Sequence, residues 1–162
     1  KVSEKEPQLI SRHLKGAGDA ESWYALGLRR LESKQFGLAR LTLIDALGIR
    51  NAEIERTKAI KKDDDDSQES DAEKLTEPSV KGKILNALAY IEWVTLNSDG
   101  VQTLFEDAKQ SGSVAALVNL ALLHLKRGDL AGASQYLKEV SRRKLWVSYP
   151  ALEKQVQEVL SI

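Results

Sequence analysis

The sequence predicts an all-α domain of antiparallel helix hairpins, and three observations lead to this prediction. Leucine and alanine, which favour helices, are the main apolar residues, whereas the aromatic residues typical of strands make up 6% of the chain. One pattern of apolar and small residues occurs three times. Short polar segments lie where each copy of the pattern needs a turn. We therefore expect a single domain over residues 1–162, with about three hairpins and a flanking helix at each end.

A short leading helix is expected over residues 7–15. Pro7 is favoured in the first turn of a helix, and Leu9 and Leu14 supply apolar side chains. Gly16 then ends the helix together with the residues that follow it. Because no strand pattern precedes this glycine, we interpret it as a helix stop and not as part of a phosphate-binding loop.

The first repeat is predicted over residues 20–53, as two helices joined by a turn at residues 33–35. Its repeating positions are Trp23, Leu26, Gly27, Phe36, Ala39, Leu43 and Ala46. Small residues let two helix axes approach closely. We therefore expect Gly27 to meet Ala39 where the two helices cross.

An acidic insertion follows, at about residues 54–81. Its first part, residues 54–62, is expected to extend the preceding helix. Residues 63–71 combine like charges with almost no apolar area, so burial cannot offset the entropy cost of ordering them. We interpret this part as a mobile loop in which Ser70, followed by acidic residues, is a candidate phosphorylation site. The alternative is an inert flexible linker.

The second and third repeats are predicted over residues 82–113 and 114–145. In the second, the repeating positions are Leu85, Leu88, Ala89, Val101, Phe105 and Ala108. In the third, they are Leu117, Leu120, Ala121, Ala133, Leu137 and Val140. Turns are predicted at residues 97–100 and 127–129. The Asp129 carboxylate is expected to accept hydrogen bonds from the first amides of the helix that follows it.

A capping helix is predicted over residues 150–160, and Pro150 is suited to its start. Its apolar residues share one helical face: Leu152, Val156, Val159 and Leu160. We expect this helix to cover the exposed core of the last repeat, as helical repeat proteins require.

The pattern resembles the tetratricopeptide repeat (TPR) family, in which a Trp-x-x-Leu-Gly start and later small residues recur about every 34 residues. Trp23 and Gly27 match that start, and Ala39 and Ala133 match the small residue in mid-repeat. No repeat carries the family's closing proline, and Val101 stands where a smaller residue is expected. The resemblance implies an α-solenoid that binds other proteins. A bundle of amphipathic helices that matches the pattern by coincidence is the alternative.

Residues that support catalysis or metal binding are few in this sequence. It contains no cysteine, and the only histidines, His13 and His124, lie on different predicted helices. The aspartates of the insertion lack the ligand spacing and the central glycine of a calcium-binding loop. No phosphate-binding loop, dinucleotide-binding turn or nucleophile elbow occurs. We therefore expect no enzyme activity, no metal and no cofactor, and we interpret His124 as a packed side chain.

Charge and hydropathy narrow the classes of partner. The chain has 24 basic and 24 acidic residues, so no net field favours nucleic acid or a membrane surface. No apolar run approaches the roughly 20 residues of a membrane helix, and the start has no signal-peptide pattern. Because the sequence has no methionine, we expect it to be a piece of a longer or processed polypeptide. We expect an intracellular location, in the cytoplasm.

The leading functional hypothesis is an interaction scaffold that binds another protein, as a peptide, a helix or a subunit of a larger complex, in an apolar concave groove. The side chains that point away from the hairpin partner of each first helix predict this groove: Tyr24, Leu28, Leu31, Asn86, Tyr90, Trp93, Val118, Leu122 and Leu125. Asn86 and Asn119 are expected to bond the ligand backbone, and Tyr90 and Trp93 to act as aromatic anchors. The alternatives are a structural segment whose groove is filled by its own chain and a helical repeat that binds RNA.

The resemblance also allows one class of ligand to be tested. Tetratricopeptide domains that bind the acidic tails of heat-shock chaperones use lysines and asparagines on the inner helix face. At the corresponding positions this chain has Tyr24, Leu28, Ala87 and Ala115. The sequence therefore disfavours a carboxylate clamp of that kind.

Overall fold

A computed structural model describes residues 19–63 and 79–142, and every regular element within these ranges is a helix. The six helices are α1 (Ala20–Glu32), α2 (Phe36–Asp63), α3 (Val80–Thr95), α4 (Val101–Gln110), α5 (Val114–Lys126) and α6 (Leu130–Arg142). The fold is therefore all-α, as the sequence predicts. The predicted leading helix, the acidic run after Asp63 with Ser70, and the predicted capping helix lie outside the described residues.

The helices pack as three hairpins: α1 with α2, α3 with α4, and α5 with α6. Short connections join the two helices of each hairpin, at residues 33–35, 96–100 and 127–129, and they coincide with the predicted turns to within one residue. Connections this short make the paired helices antiparallel. Because α2 continues to Asp63, the predicted helical extension over residues 54–62 is confirmed.

The contacts between hairpins differ for the first helix of each hairpin (α1, α3 and α5) and the second helix of each hairpin (α2, α4 and α6). The first helices contact one another, α1 with α3 and α3 with α5. Of the second helices, α2 contacts α3 and α4 contacts α5, but within the two described ranges the backbones of the second helices do not approach one another, and α4 and α6 meet only through side chains. The first helices α1, α3 and α5 therefore form a continuous row, with the second helices along its other side. This row carries the residues that the sequence predicts to bind a partner.

Side-chain caps fix the start of four of these helices. At each start an Asp or Ser oxygen accepts a hydrogen bond from a backbone N–H of the first turn, which has no acceptor within the helix. The pairs are Asp19 with Ser22 (2.8 Å), Ser79 with Gly82 (3.3 Å), Ser113 with Ala116 (3.2 Å) and Asp129 with Gly132 (2.9 Å). The predicted capping role of Asp129 is confirmed.

Small residues fill the cores where the helices cross. The alanines predicted at the crossings have no exposed surface: Ala39, Ala46, Ala108 and Ala133. Val101 is larger than the residue that the repeat pattern favours, yet it too is fully buried, in one cluster with Ala89 and Phe105. The core of the second hairpin therefore accommodates the larger side chain of Val101.

Two glycines mark close approaches between segments. A Cβ atom on Gly27 would lie 2.7 Å from the side chain of Leu43, so its nearest neighbour on α2 is Leu43 and not the predicted Ala39. A Cβ atom on Gly82 would lie 2.8 Å from the backbone oxygen of Ser111, in the turn between α4 and α5. A flexible side chain can shift but this backbone cannot, so Gly82 allows α3 to pack directly on that turn.

We expect Ala133→Leu to destabilise the domain by about 1–3 kcal/mol, because the added carbons find no space at a fully buried position on α6. Ala131→Leu is the matched control, since it makes the same change on the same helix at an exposed position. Chemical denaturation of the full chain measures both free energies of unfolding. Equal midpoints for the two variants would contradict the burial of Ala133.

Gly82→Ala should destabilise the domain on the order of 1–3 kcal/mol, since its methyl group would overlap the backbone of the α4–α5 turn. Gly48→Ala is the matched control on α2, where no atom lies within 4 Å of an added Cβ. This control should gain up to about 1 kcal/mol, because alanine is favoured over glycine inside helices. Thermal unfolding compares the two, and a stabilised Gly82→Ala variant would show that the close contact is absent.

Candidate functional site

The predicted groove residues all lie on the row of first helices. α1 carries Tyr24, Leu28 and Leu31, α3 carries Asn86, Tyr90 and Trp93, and α5 carries Val118, Asn119, Leu122 and Leu125. Because α3 contacts both α1 and α5, the three sets lie on neighbouring helices. The packing of the hairpins leaves some of these groove residues more accessible to a partner than others.

The predicted groove residues differ in the fraction of their surface that is exposed. Tyr90 has 38% of its surface exposed, whereas Val118 has 3% and therefore belongs to the core between α5 and α6. The apolar residues predicted on α1 and α5 are half-buried and pack against neighbouring cores: Tyr24, Leu28, Leu31, Leu122 and Leu125. The sequence treats Val118 as a ligand contact, but its burial leaves no surface for a partner. Most of the remaining predicted residues offer only part of their surface.

An open depression of about 520 Å³ lies on the row, between the ends of α3 and α5. We call it the α3–α5 depression, and its lining residues are Tyr90, Trp93, Val94, Asn97, Lys126 and Arg127. Val94, with 45% of its surface exposed, lies one turn after Tyr90 on α3 and adds to the apolar area. The structure thus places the two predicted aromatic anchors in one concave surface, beside two cations that the sequence had not singled out.

The ring of Trp93 is held by contacts with Phe105 and with Lys126. Its ring packs edge to face on Phe105, with ring centroids 5.8 Å apart and an interplanar angle of 88°. Phe105 is fully buried on α4, so the ring position follows from the core of the second hairpin. The Lys126 ammonium lies 5.2 Å from the centroid of the Trp93 ring, within range of a cation–π attraction. Trp93 is therefore held in place without a partner.

The amides of Asn86 and Asn119 form a pair across α3 and α5. The Asn119 Nδ2 donates to the Asn86 Oδ1 at 3.0 Å, and both residues are half-buried. The sequence predicts that both amides bond a ligand backbone, but here they bond each other. Each primary amide has more than one donor and acceptor position, so the pair can hold the two helices in register and still accept a further hydrogen bond.

An apolar stripe on α2 was not among the predicted binding residues. Leu38, Leu41 and Ile44 have 50%, 62% and 46% of their surfaces exposed. Their spacing of three residues puts them on one side of the helix, while Ala39 and Ala46 are buried on another. The signal was present in the sequence: α2 is apolar on more than one face, which a helix with a single buried face does not need.

Titratable side chains meet where α4, α5 and α6 pack together. The Nδ1 atom of His124 lies 2.8 Å from the Asp129 Oδ2, and the His124 ring stacks at 5.2 Å on the ring of Tyr136. The Tyr136 hydroxyl donates to the Glu106 carboxylate, and the Lys109 ammonium lies 3.2 Å from the same carboxylate. His124 is a packed side chain facing its hairpin partner α6, as predicted.

The pKa values of this cluster follow from its contacts. Burial acts to raise the pKa of Glu106, but the hydrogen bonds from Tyr136 and Lys109 outweigh it, so the pKa lies below its ordinary value. Burial and the neighbouring Glu106 raise the pKa of Tyr136 to about 12. The backbone N–H of Gly132 and the His124 ring lower the pKa of Asp129. The cluster thus links α4 to the third hairpin through charge-assisted hydrogen bonds.

Within residues 19–63 and 79–142, no group of His, Asp and Glu residues has the arrangement to hold a metal ion, and no helix is long and apolar enough to cross a membrane. His13 and Ser70 lie outside these ranges. Comparison of the chain with protein families, with curated proteins and with solved structures found no match. The resemblance to the tetratricopeptide repeat family therefore rests on the residue pattern alone.

Acid should destabilise the domain partly through Glu106. Because its folded-state pKa is lowered, the carboxylate stabilises the fold above its unfolded-state pKa, and this contribution is lost as the pH falls through the folded-state value. We expect Glu106→Gln to unfold more easily at neutral pH and to lose less stability on acidification to about pH 3. Urea denaturation at both pH values measures this, with the exposed Glu55→Gln as control. Parallel acid profiles for wild type and Glu106→Gln would contradict the assignment.

Proposed function

We propose that this domain is a protein interaction scaffold that binds a helical segment of a partner at the α3–α5 depression. The observation that carries the proposal is the exposed pair Tyr90 and Val94 beside the immobilised Trp93 in one concave surface. Aromatic side chains that are already held in place bind with little loss of conformational freedom, and such residues contribute most of the binding energy at many interfaces. Apolar side chains spaced by one turn on a partner helix fit a depression of this shape.

The resemblance to the tetratricopeptide repeat family supports the same proposal. In helical repeats the first helices form the concave side of a solenoid, and the contacts of α1 with α3 and of α3 with α5 have that order. Additional repeats or subunits would extend the row at its ends. A cytoplasmic location and phosphorylation of Ser70 stay predictions of the sequence.

A structural segment without a binding role is the second candidate, and a specific observation favours it on α1. Tyr24, Leu28 and Leu31 pack against the core that α1 shares with α2 and α3, so this end of the row is largely filled by its own chain. The two candidates therefore differ at the α3–α5 depression, where the apolar surface is open.

We expect Tyr90→Glu and Val94→Glu each to weaken peptide binding by at least about tenfold, because either change puts a charge into an apolar contact. Peptides are first selected by the full wild-type chain from a displayed random library, and their affinities for the variants are then measured by fluorescence anisotropy. Both positions are exposed, so the thermal midpoint should stay within a few degrees of the wild-type value.

Leu41→Glu is the matched control, since it places the same charge on the exposed stripe of α2. We expect this variant to bind as the wild type does. If Leu41→Glu abolishes binding while the α3 variants retain it, the α2 stripe is the contact surface. If the wild-type chain selects no peptide, the domain has no peptide-binding groove and the structural candidate is favoured.

A further inference from the structure

We propose that the partner segment of the α3–α5 depression is an acidic amphipathic helix, in which Asp or Glu stands one helical turn from an apolar anchor. This inference rests on the proposed function and adds the chemical class of the ligand. It follows from the charges that line the depression, from the carboxylates that surround it and from the distance between cation and aromatic ring.

The lining of the depression is cationic. Lys126 and Arg127 both face it, and its other lining residues are uncharged: Tyr90, Trp93, Val94 and Asn97. Arg127 also donates to the backbone oxygen of Ser98 at 3.2 Å, which anchors the guanidinium at the rim. Among the described residues neither cation has a carboxylate within ion-pair distance. In a chain with equal numbers of basic and acidic residues, this is a local positive surface.

Two carboxylates that lie close to the lining residues in the sequence are bound to other groups. Glu92 lies on α3 beside Trp93, but its carboxylate bonds the Ser98 hydroxyl at 3.2 Å and lies 3.8 Å from the Arg40 guanidinium. Asp129 follows Arg127 closely, but it caps α6 and bonds His124. No carboxylate among the described residues therefore occupies the two cations, and a carboxylate of a partner can reach them.

The distance between the Lys126 ammonium and the Trp93 ring determines how far apart the apolar and the acidic residue of the ligand helix should be. The Lys126 ammonium is 5.2 Å from the Trp93 ring centroid. Side chains three or four residues apart on a helix lie roughly 5–6 Å from each other. A helix that puts an apolar side chain against the exposed part of Trp93 therefore brings its residue one turn away to Lys126. A carboxylate at that position forms an ion pair beside an apolar contact, where screening by water is reduced.

Stabilisation of the α5 helix is the competing explanation for these cations. Lys126 lies in the last turn of α5 and Arg127 is its C-cap residue, so both act favourably on the negative end of the helix dipole. That role predicts lower stability on charge reversal and no change in ligand preference. A change in ligand preference on charge reversal therefore distinguishes ligand recognition by these cations from stabilisation of the α5 helix.

Single-stranded nucleic acid is the other ligand class that combines aromatic rings with cations. Bases stack on the open faces of aromatic rings, but Lys126 lies over the Trp93 ring and Phe105 packs against it. Only Tyr90 offers an exposed ring among the lining residues. The depression therefore favours an acidic peptide over an oligonucleotide.

The test is a change of ligand preference on charge reversal. The full chain is prepared as wild type, as the double variant Lys126→Glu/Arg127→Glu, and as the control Lys58→Glu/Lys138→Glu, which makes the same change of charge on α2 and α6. Each form selects from one displayed library of random peptides about four helical turns long. We expect wild type and control to enrich peptides with Asp or Glu one turn from an apolar residue, and the reversed variant to enrich Lys or Arg there.

Affinities give the second readout. The best wild-type peptide should bind the reversed variant at least about tenfold more weakly and the control within about twofold, and added salt should weaken its binding to the wild type. Should the reversed variant fail to fold by circular dichroism, Lys126→Gln/Arg127→Gln replaces it, and the acidic preference should then disappear.

Four outcomes would overturn the inference. Apolar peptides enriched without acidic residues would refute it and leave the proposed function standing. The same acidic preference in wild type and reversed variant would assign the contact to other residues. Tight binding of a labelled single-stranded oligouridylate that is lost in the reversed variant would assign the depression to nucleic acid. If the wild type enriches no peptide at all, the proposed function fails together with this inference.

Discussion

The close approach of helices at small buried residues is the constraint on which the rest of this structure depends. Ala39, Ala108 and Ala133 have no exposed surface, and Gly82 lets α3 lie directly against the backbone of the α4–α5 turn. Larger side chains at these positions would hold the helices apart and leave voids that the neighbouring side chains cannot fill. The hairpins stack because these side chains are small, and stacking creates the row α1, α3 and α5.

The geometry of the candidate site follows from that stacking. Trp93 belongs both to the depression and, through its contact with Phe105, to the core of the second hairpin. Lys126 reaches the same ring from the next hairpin, so the concave surface exists only when α3 and α5 are packed together. The Asn86–Asn119 amide pair joins the same two helices. A binding site built in this way is rigid to the extent that its supporting core is rigid.

Polar contacts join the second and third hairpins on the other side of α5. Tyr136 on α6 donates to Glu106 on α4, and His124 on α5 lies between Tyr136 and Asp129. A hydrogen bond to a carboxylate has a stricter geometry than an apolar contact, so this cluster restricts the angle between the hairpins.

The sequence by itself determined the helices, the turns and the buried small residues. Helical periodicity, turn residues and caps such as Asp129 act over a few neighbouring positions, so they can be recognised without knowing what packs against them. Tertiary structure alone decided which apolar residues stay accessible. Val118 is buried, Tyr90 is exposed, and Leu41 belongs to an exposed apolar stripe on α2. Exposure depends on helices from distant parts of the chain, and the meeting of Trp93 with Lys126 depends on the crossing of α3 and α5, which no local pattern encodes.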